Sequence, residues 1–309
     1  GCKYFFVATT NEAIYLRKLN KRIFIFILNG LVTKELKNIR KFNLIPVINN
    51  LAQLKKIENY QKENNCFLNI AIHFDTGMSR LGLDQNETKN LIKHKALLIK
   101  KSKLRLIMSH LSCADDKKSE LNKIQLNKFN FIKSHFPYCL HSLSNSAGIL
   151  LGKKYHFDMV RPGISLYGGQ CQINEKIIYK NVVSIKAKLI QIREIYKGDT
   201  IGYGATFKAK SKMKIGTLGF GYADGFNRLF SNNYKILLGD KKINLVGRAS
   251  MDLITIDLTN IKTKKNIMNE EFEVIGSKFS INTIAKTINT IPYEILTNLG
   301  KRYERRYIS

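Results

Sequence analysis

The stretch that decides the fold is Phe67-Leu68-Asn69-Ile70-Ala71-Ile72-His73-Phe74-Asp75-Thr76-Gly77-Met78-Ser79-Arg80. A strand-sized apolar run ends there in a polar, glycine-containing turn. The same unit recurs outward in both directions. Further apolar runs cover residues 4–8, 23–28, 44–48, 104–111, 138–143 and 157–160. Helical patterns lie between them. Thr10 with Glu12 and Ala13 marks a helix start, and Asn50 precedes Leu51, Leu54 and Ile57. Leu121, Ile124, Phe129 and Ile132 form an amphipathic stripe behind Ser119, a cap candidate. Strand alternating with helix predicts a parallel sheet with right-handed crossovers.

Seven such runs are one short of a closed (β/α)8 barrel. The chain opens on Gly1, not Met, and reaches its first strand almost at once. The expectation is therefore a TIM-type barrel lacking its first βα unit, a piece of a few tens of residues. Past residue 180 the pattern changes. Residues 183–195 alternate apolar and polar, as in Ile185, Ala187, Leu189 and Gln191. Short strand candidates follow at 214–219, 235–238, 245–246, 253–258 and 271–275, separated by glycine turns. Two short helices are expected near the end, one after Ser280 and one over 293–299. This predicts a barrel over 1–181 and a C-terminal antiparallel β domain over 182–309.

The composition fits a globular chain: 44% of residues are apolar and 24% charged, which excludes a disordered one. No apolar run approaches a membrane span. The five cysteines are an odd number without a CxxC, so neither a disulfide framework nor a zinc site is expected, and a reducing, cytoplasmic setting is the simpler reading. The net charge of +29 permits nucleic-acid binding by its field alone. The lysines are scattered, however, among them Lys34, Lys37, Lys55, Lys56, Lys100, Lys101, Lys264 and Lys265. No RNP-like or C2H2 spacing accompanies them, so they read as a solvated basic surface.

Chemistry in a parallel barrel collects at the C-terminal ends of the strands. Four consecutive run ends offer Arg80, His110, Asn145 with Ser146, and Arg161 with Gly163. The last two suit a phosphate, through the Ser146 hydroxyl and the Gly163 and Ile164 amides, although ordinary βα turns use the same residues. Arg80 can clamp a carboxylate bidentately or make a surface ion pair. Arg161, before Pro162, needs a partner such as a ring nitrogen or a carboxylate. His110 is a general base, a relay or a core histidine. His94, His135, His141 and His156 lack metal-ligand spacing. Tyr222, in Gly219-Phe220-Gly221-Tyr222-Ala223-Asp224-Gly225, is an acid–base candidate or a packed hairpin residue. Spacing alone assigns no role to Gly247-Arg248-Ala249-Ser250-Met251-Asp252.

These motifs, with Asp158-Met159-Val160-Arg161-Pro162-Gly163-Ile164-Ser165-Leu166-Tyr167-Gly168 and Gly202-Tyr203-Gly204-Ala205-Thr206-Phe207, occur in one order across nearly the whole chain. In that order the chain resembles the pyridoxal-phosphate-dependent alanine racemases. The resemblance implies interconversion of L- and D-alanine, the latter for peptidoglycan, by a homodimer that shares its active sites. It assigns Arg80 and Met251 to the substrate. Asn145, Ser146, Arg161, Gly163 and Ile164 fall to the cofactor, with Arg161 facing its ring nitrogen. It makes Tyr222, from the second subunit, the base for L-alanine, with His110 hydrogen-bonded to it. Two departures stand out. The family's cofactor-bonding lysine lies on the first barrel strand, and Lys3 does not match it, so that lysine is expected ahead of Gly1. A chain truly without it would be an inactive remnant. The second departure is His73, where many members carry a lysine, often carbamylated.

Overall fold

Six short strands form the first sheet in chain order, every neighbouring pair parallel: β1 (Tyr4–Val7), β2 (Phe24–Ile27), β3 (Ile45–Ile48), β4 (Asn69–His73), β5 (Lys103–Met108) and β6 (Leu140–Ser142). The computed structural model describes residues 1–31, 33–98, 102–173, 179–262 and 266–308; Lys100, Lys101, Lys264 and Lys265 lie outside these ranges. The helices between the strands are α1 (Thr10–Leu19), α2 (Leu36–Lys41), α3 (Leu51–Glu63), α4 (Gln85–Leu98) and α5 (Glu120–Ser134); the four-residue α6 (Ser146–Ile149) follows β6. β3 is buried along its whole length, as expected of a parallel strand covered on both faces. One inner cluster joins Phe26, Ile45, Val47, Ala71, Leu106 and Met108. The result is a parallel α/β half-barrel.

Local chemistry starts the helices where the pattern placed them. Thr9 and Glu12 close a capping box on α1, and the Asn50 side chain accepts from Gln53 N–H at 2.8 Å on α3. Two expectations on α5 are corrected. Ser119 stands at the cap position without a side-chain bond, and Ile124 is 47% exposed. The buried stripe of α5 is instead Asn122, Gln125, Leu126, Phe129 and Ile132.

The seventh run, 157–160, is not a strand. Phe157 adopts φ +54°, and the Asp158 and Met159 amides both donate to the one carbonyl of His141. A left-handed residue and a shared acceptor prevent a ladder from extending. The segment still lies along the end of β6, where Arg161 N–H donates to Ser144 O at 2.9 Å.

Two compact units divide the chain, Gly1–Gly163 with Cys171–Glu175, and Ile164–Gln170 with Lys176–Ser309. The second unit is built on an antiparallel sheet whose central strand is β7 (Ile185–Ile195). It is completed by β10 (Met213–Leu218), β11 (Lys235–Leu238), β12 (Lys241–Asn244), β13 (Ile254–Asp257) and β14 (Glu271–Ile275). Along β7, buried Ile185, Ala187 and Leu189 alternate with exposed Lys186, Lys188 and Ile190. The expected strand at 245–246 is only an isolated bridge, Leu245 to Ile256; the strand beside it is β12. A small ribbon of β8 (Thr200–Ile201) and β9 (Phe207–Lys208) was not foreseen. Helices α7 (Ile281–Thr287) and α8 (Pro292–Thr297) follow, α7 capped by Ser280.

The loop after β4 closes on itself. Leu83 N–H donates to His73 O at 2.8 Å, and Asp75 N–H to Leu83 O at 3.0 Å. Gly82 makes this possible: its φ is +103°, and a Cβ there would meet Asp75 N at 2.8 Å and the Phe74 carbonyl carbon at 2.9 Å. Gly82→Ala is therefore expected to cost about 1–3 kcal/mol, checked by the urea midpoint.

Candidate active site

The closed loop presents Asp75 through Arg80 at the C-terminal end of β4. Asp75 Oδ1 accepts from the amides of Gly77 and Met78, each at 2.9 Å, and Oδ2 from Ser79 at 3.0 Å. Burial alone would raise the Asp75 pKa, but these three amides and His73 outweigh it and hold the carboxyl below its usual range. The one carboxylate in the loop is thus committed to backbone. Arg80 follows Ser79, which sits at φ +55°. The Arg80 side chain is exposed and has no hydrogen bond or ion pair among the described residues.

Two histidines stand at neighbouring strand ends, and asparagines hold both. His73, which closes β4, is buried, with Nδ1 3.1 Å from Asn49 Oδ1. Asn49 Nδ2 donates to the carbonyls of Leu28 at 3.0 Å and Val47 at 3.1 Å. Its Oδ1 must therefore face the ring, and His73 Nδ1 carries the proton. His110 is held in the opposite sense. Asn145 Oδ1 accepts from Gly148 N–H at 2.9 Å, so Nδ2 is the end that meets His110 Nε2 at 3.3 Å. That ring nitrogen is an acceptor. Both imidazoles are neutral. Burial first, then Arg161 and Arg80, push His73 down to about 4 and His110 down to about 3.

Arg161 is the cation at the centre of this end of the sheet. Nη2 donates to Ser109 O at 2.6 Å and to Leu143 O at 3.3 Å, and Nη1 donates to Ser142 Oγ. The guanidinium lies 5.8 Å from the centre of the Phe6 ring. Burial lowers it to about 10, so it stays charged at neutral pH. Its Nε–H has no acceptor among the described residues. Beside it, Gly163 N–H donates to Ser146 Oγ at 2.8 Å, which brings two of the sequence-predicted anion ligands together. Ile164 opens a short 3₁₀ turn, Ile164–Tyr167, assigned to the second unit. His141 is structural: its ring bonds Asp158 Oδ2 at 2.6 Å and Phe136 O at 2.9 Å. Among the described residues no cluster of His, Cys, Asp or Glu suits a metal.

In the second unit, Tyr222 and Met251 lie on two turns zipped together by backbone. Tyr222 N–H donates to Ser250 O at 3.1 Å and Ala223 N–H to Met251 O at 2.9 Å. Gly221 is required, since a Cβ there would meet Met251 O at 2.3 Å. Both side chains are exposed, Tyr222 by 44% and Met251 by 53%. Two residues of the C-terminal stretch, Arg302 and Tyr303, hold these turns. Arg302 reaches Asp252 at 2.5 Å and Asp224 at 3.8 Å, and the Tyr303 hydroxyl donates to Asp224 O. The signal for them was the C-terminal stretch 301–307, which departs from the family's usual pattern. Asn49 carried none beyond its place at a strand end.

A parallel half-barrel with a cationic cluster at its strand ends, followed by an antiparallel β unit, is the architecture of a two-domain enzyme class. Residues 1–171 match the family model for the alanine racemase N-terminal domain, and residues 182–307 that for its C-terminal domain. The alanine racemase of Rickettsia bellii is 43% identical over 309 residues, covering 99% of this chain and 75% of that protein. The alanine racemase of Rickettsia rickettsii is 41% identical, with 100% and 85% coverage. The solved alanine racemase of Bartonella henselae, which has covalently bound pyridoxal phosphate, superposes with a TM-score of 0.92 at 36% identity, covering 100% of this chain and 86% of that one. The biosynthetic alanine racemase of Pseudomonas aeruginosa gives 0.87 at 30% identity, with the same coverage. The chain belongs to the alanine racemase family.

The depressed histidines make stability depend on pH. Unfolded imidazoles take up protons near 6.5, whereas folded His73 and His110 resist until about 4 and about 3. Their contribution is complete above pH 6.5 and is lost as pH falls below it, by up to about 1.4 kcal/mol per pH unit for each ring. Urea midpoints without added cofactor should fall between pH 7.5 and 5, and His110→Gln should reduce that slope by roughly half.

Proposed function

We propose that this chain racemises alanine between the L and D forms with pyridoxal phosphate, supplying D-alanine for peptidoglycan. The observation that carries the reading is the charge balance at the strand ends: Arg161 and Arg80 flank two neutral histidines, and the one carboxylate of the loop, Asp75, is spent on amides. Such a donor set fits a ligand with a phosphate and a substrate with a carboxylate. Ser146, Gly163 and Ile164 would hold the phosphate, with Asn145 beside them. The Nε–H of Arg161, which has no acceptor among the described residues, suits the ring nitrogen. When bound, the cofactor supplies an electron sink for the carbanion at the substrate Cα.

The protein's own residues do the rest. Arg161 stays protonated, so it keeps the ring nitrogen an acceptor and moderates the sink, which limits side reactions. Arg80 takes the substrate carboxylate and fixes which face of Cα meets each base. Tyr222, contributed by the second subunit of a homodimer, removes the α-proton of L-alanine. Met251 offers its backbone to the substrate beside it. His110, neutral with Nε2 held by Asn145, has Nδ1–H left to donate.

The test uses the chain extended at its N-terminus to the length of its relatives. With pyridoxal phosphate it should interconvert the alanine enantiomers, and Tyr222→Phe should slow loss of an α-deuterium from L-alanine at least about 100-fold and from D-alanine far less. Equal loss in both directions would remove Tyr222 from its role. No racemisation by the extended chain would favour the remnant reading.

A further inference from the structure

Helix α5 packs outside the sheet, yet one of its side chains reaches the strand-end cluster through four hydrogen bonds. Gln125 has no exposed surface. Its Oε1 accepts from Ser112 N–H at 3.0 Å and from the Ser112 hydroxyl at 3.1 Å. Its Nε2 donates to the His110 carbonyl at 2.9 Å and to Thr76 Oγ1 at 3.1 Å. A backbone N–H can only donate, so Ser112 fixes which end of the amide faces it. Both donors and both acceptor positions of Gln125 are used.

The bonds continue inward. Thr76 Oγ1 lies 2.7 Å from Ser109 Oγ, and the Ser109 carbonyl accepts from Arg161 at 2.6 Å. The loop after β4, the loop after β5 and the central guanidinium are thus joined through one amide. An apolar residue would satisfy the buried stripe of α5 equally well. It would leave the His110 carbonyl and the Ser112 N–H without this partner at part-buried positions, and that cost weighs against replacement.

We propose that Gln125 is a positioning residue, which sets where the loop after β5 presents His110 to the cluster while Asn145 sets the angle of its ring. The kinetic consequence rests on the racemase reading; the geometry of His110 does not.

The test is nitrogen NMR of the chain labelled with ¹⁵N-histidine, which contains six such residues. The His110 signal is assigned by its loss in His110→Gln. The charged and titratable groups facing His110 are Arg161, Arg80 and His73, and Gln125→Met alters none of them. In the native chain His110 should show an unprotonated Nε2 and no titration above pH 5. In Gln125→Met its signal should shift, with those of His94, His135 and His156 unmoved. Gln125→Glu keeps an acceptor for Ser112 and should shift the same signal, which covers the case in which the methionine variant does not fold. A native-like His110 signal in either folded variant overturns the proposal. In the extended, active chain the same variants should lower kcat on the order of tenfold or more while KM for alanine changes less than about twofold. An unchanged kcat also overturns it. If the extended native chain proves inactive, the racemase reading fails, and the His110 signal alone decides the role of Gln125.

Discussion

A single permanent cation, the guanidinium of Arg161, sets the terms for everything around it. It is held by carbonyls of Ser109 and Leu143 and by the Ser142 hydroxyl, none of which can take its proton. In a poorly solvated place a second positive charge nearby is repelled by several kcal/mol. Burial first, and then this repulsion, keep the neighbouring histidines neutral, and their nitrogens divide into one donor and one acceptor each. Asparagines decide which is which, and backbone groups decide how the asparagines face. The protonation pattern is thus written into main-chain geometry, which does not change with pH in the working range.

The two units contribute different kinds of order. In the parallel half-barrel, side chains at strand ends are locked by amide and hydroxyl networks rooted in neighbouring strands. In the antiparallel unit, the turns that carry Tyr222 and Met251 are joined main chain to main chain, and a salt bridge from Arg302 secures them. The first arrangement fixes protons and charges. The second fixes the position of a loop and leaves its side chains projecting.

Much of this was legible in the chain. The apolar runs located six of six parallel strands, and Thr9–Glu12 and Asn50 start α1 and α3 through the chemistry their residue types suggest. Residues 157–160 misled because a backbone conformation, φ +54° at Phe157, leaves no trace in hydropathy. Ile124 misled because an apolar residue is no less apolar for being exposed. At the site, Arg80, His110, Ser146 and Arg161 were readable as strand-end residues. Two amides behind the cluster were not, since Asn49, on the His73 ring, and Gln125, on the His110 carbonyl, act through contacts 24 and 15 residues away in sequence. A polar residue on a buried stripe was the available clue for Gln125.

The main-chain zipper between the Tyr222 and Met251 turns bears on how such a site evolves. The framework there depends on Gly221 and on carbonyls every residue possesses, not on the identity of the projecting side chains. Position 251 can therefore drift in size or polarity while the loop keeps its shape. The side chain presented at this edge is separable from foldability, so selection can change one without first repairing the other.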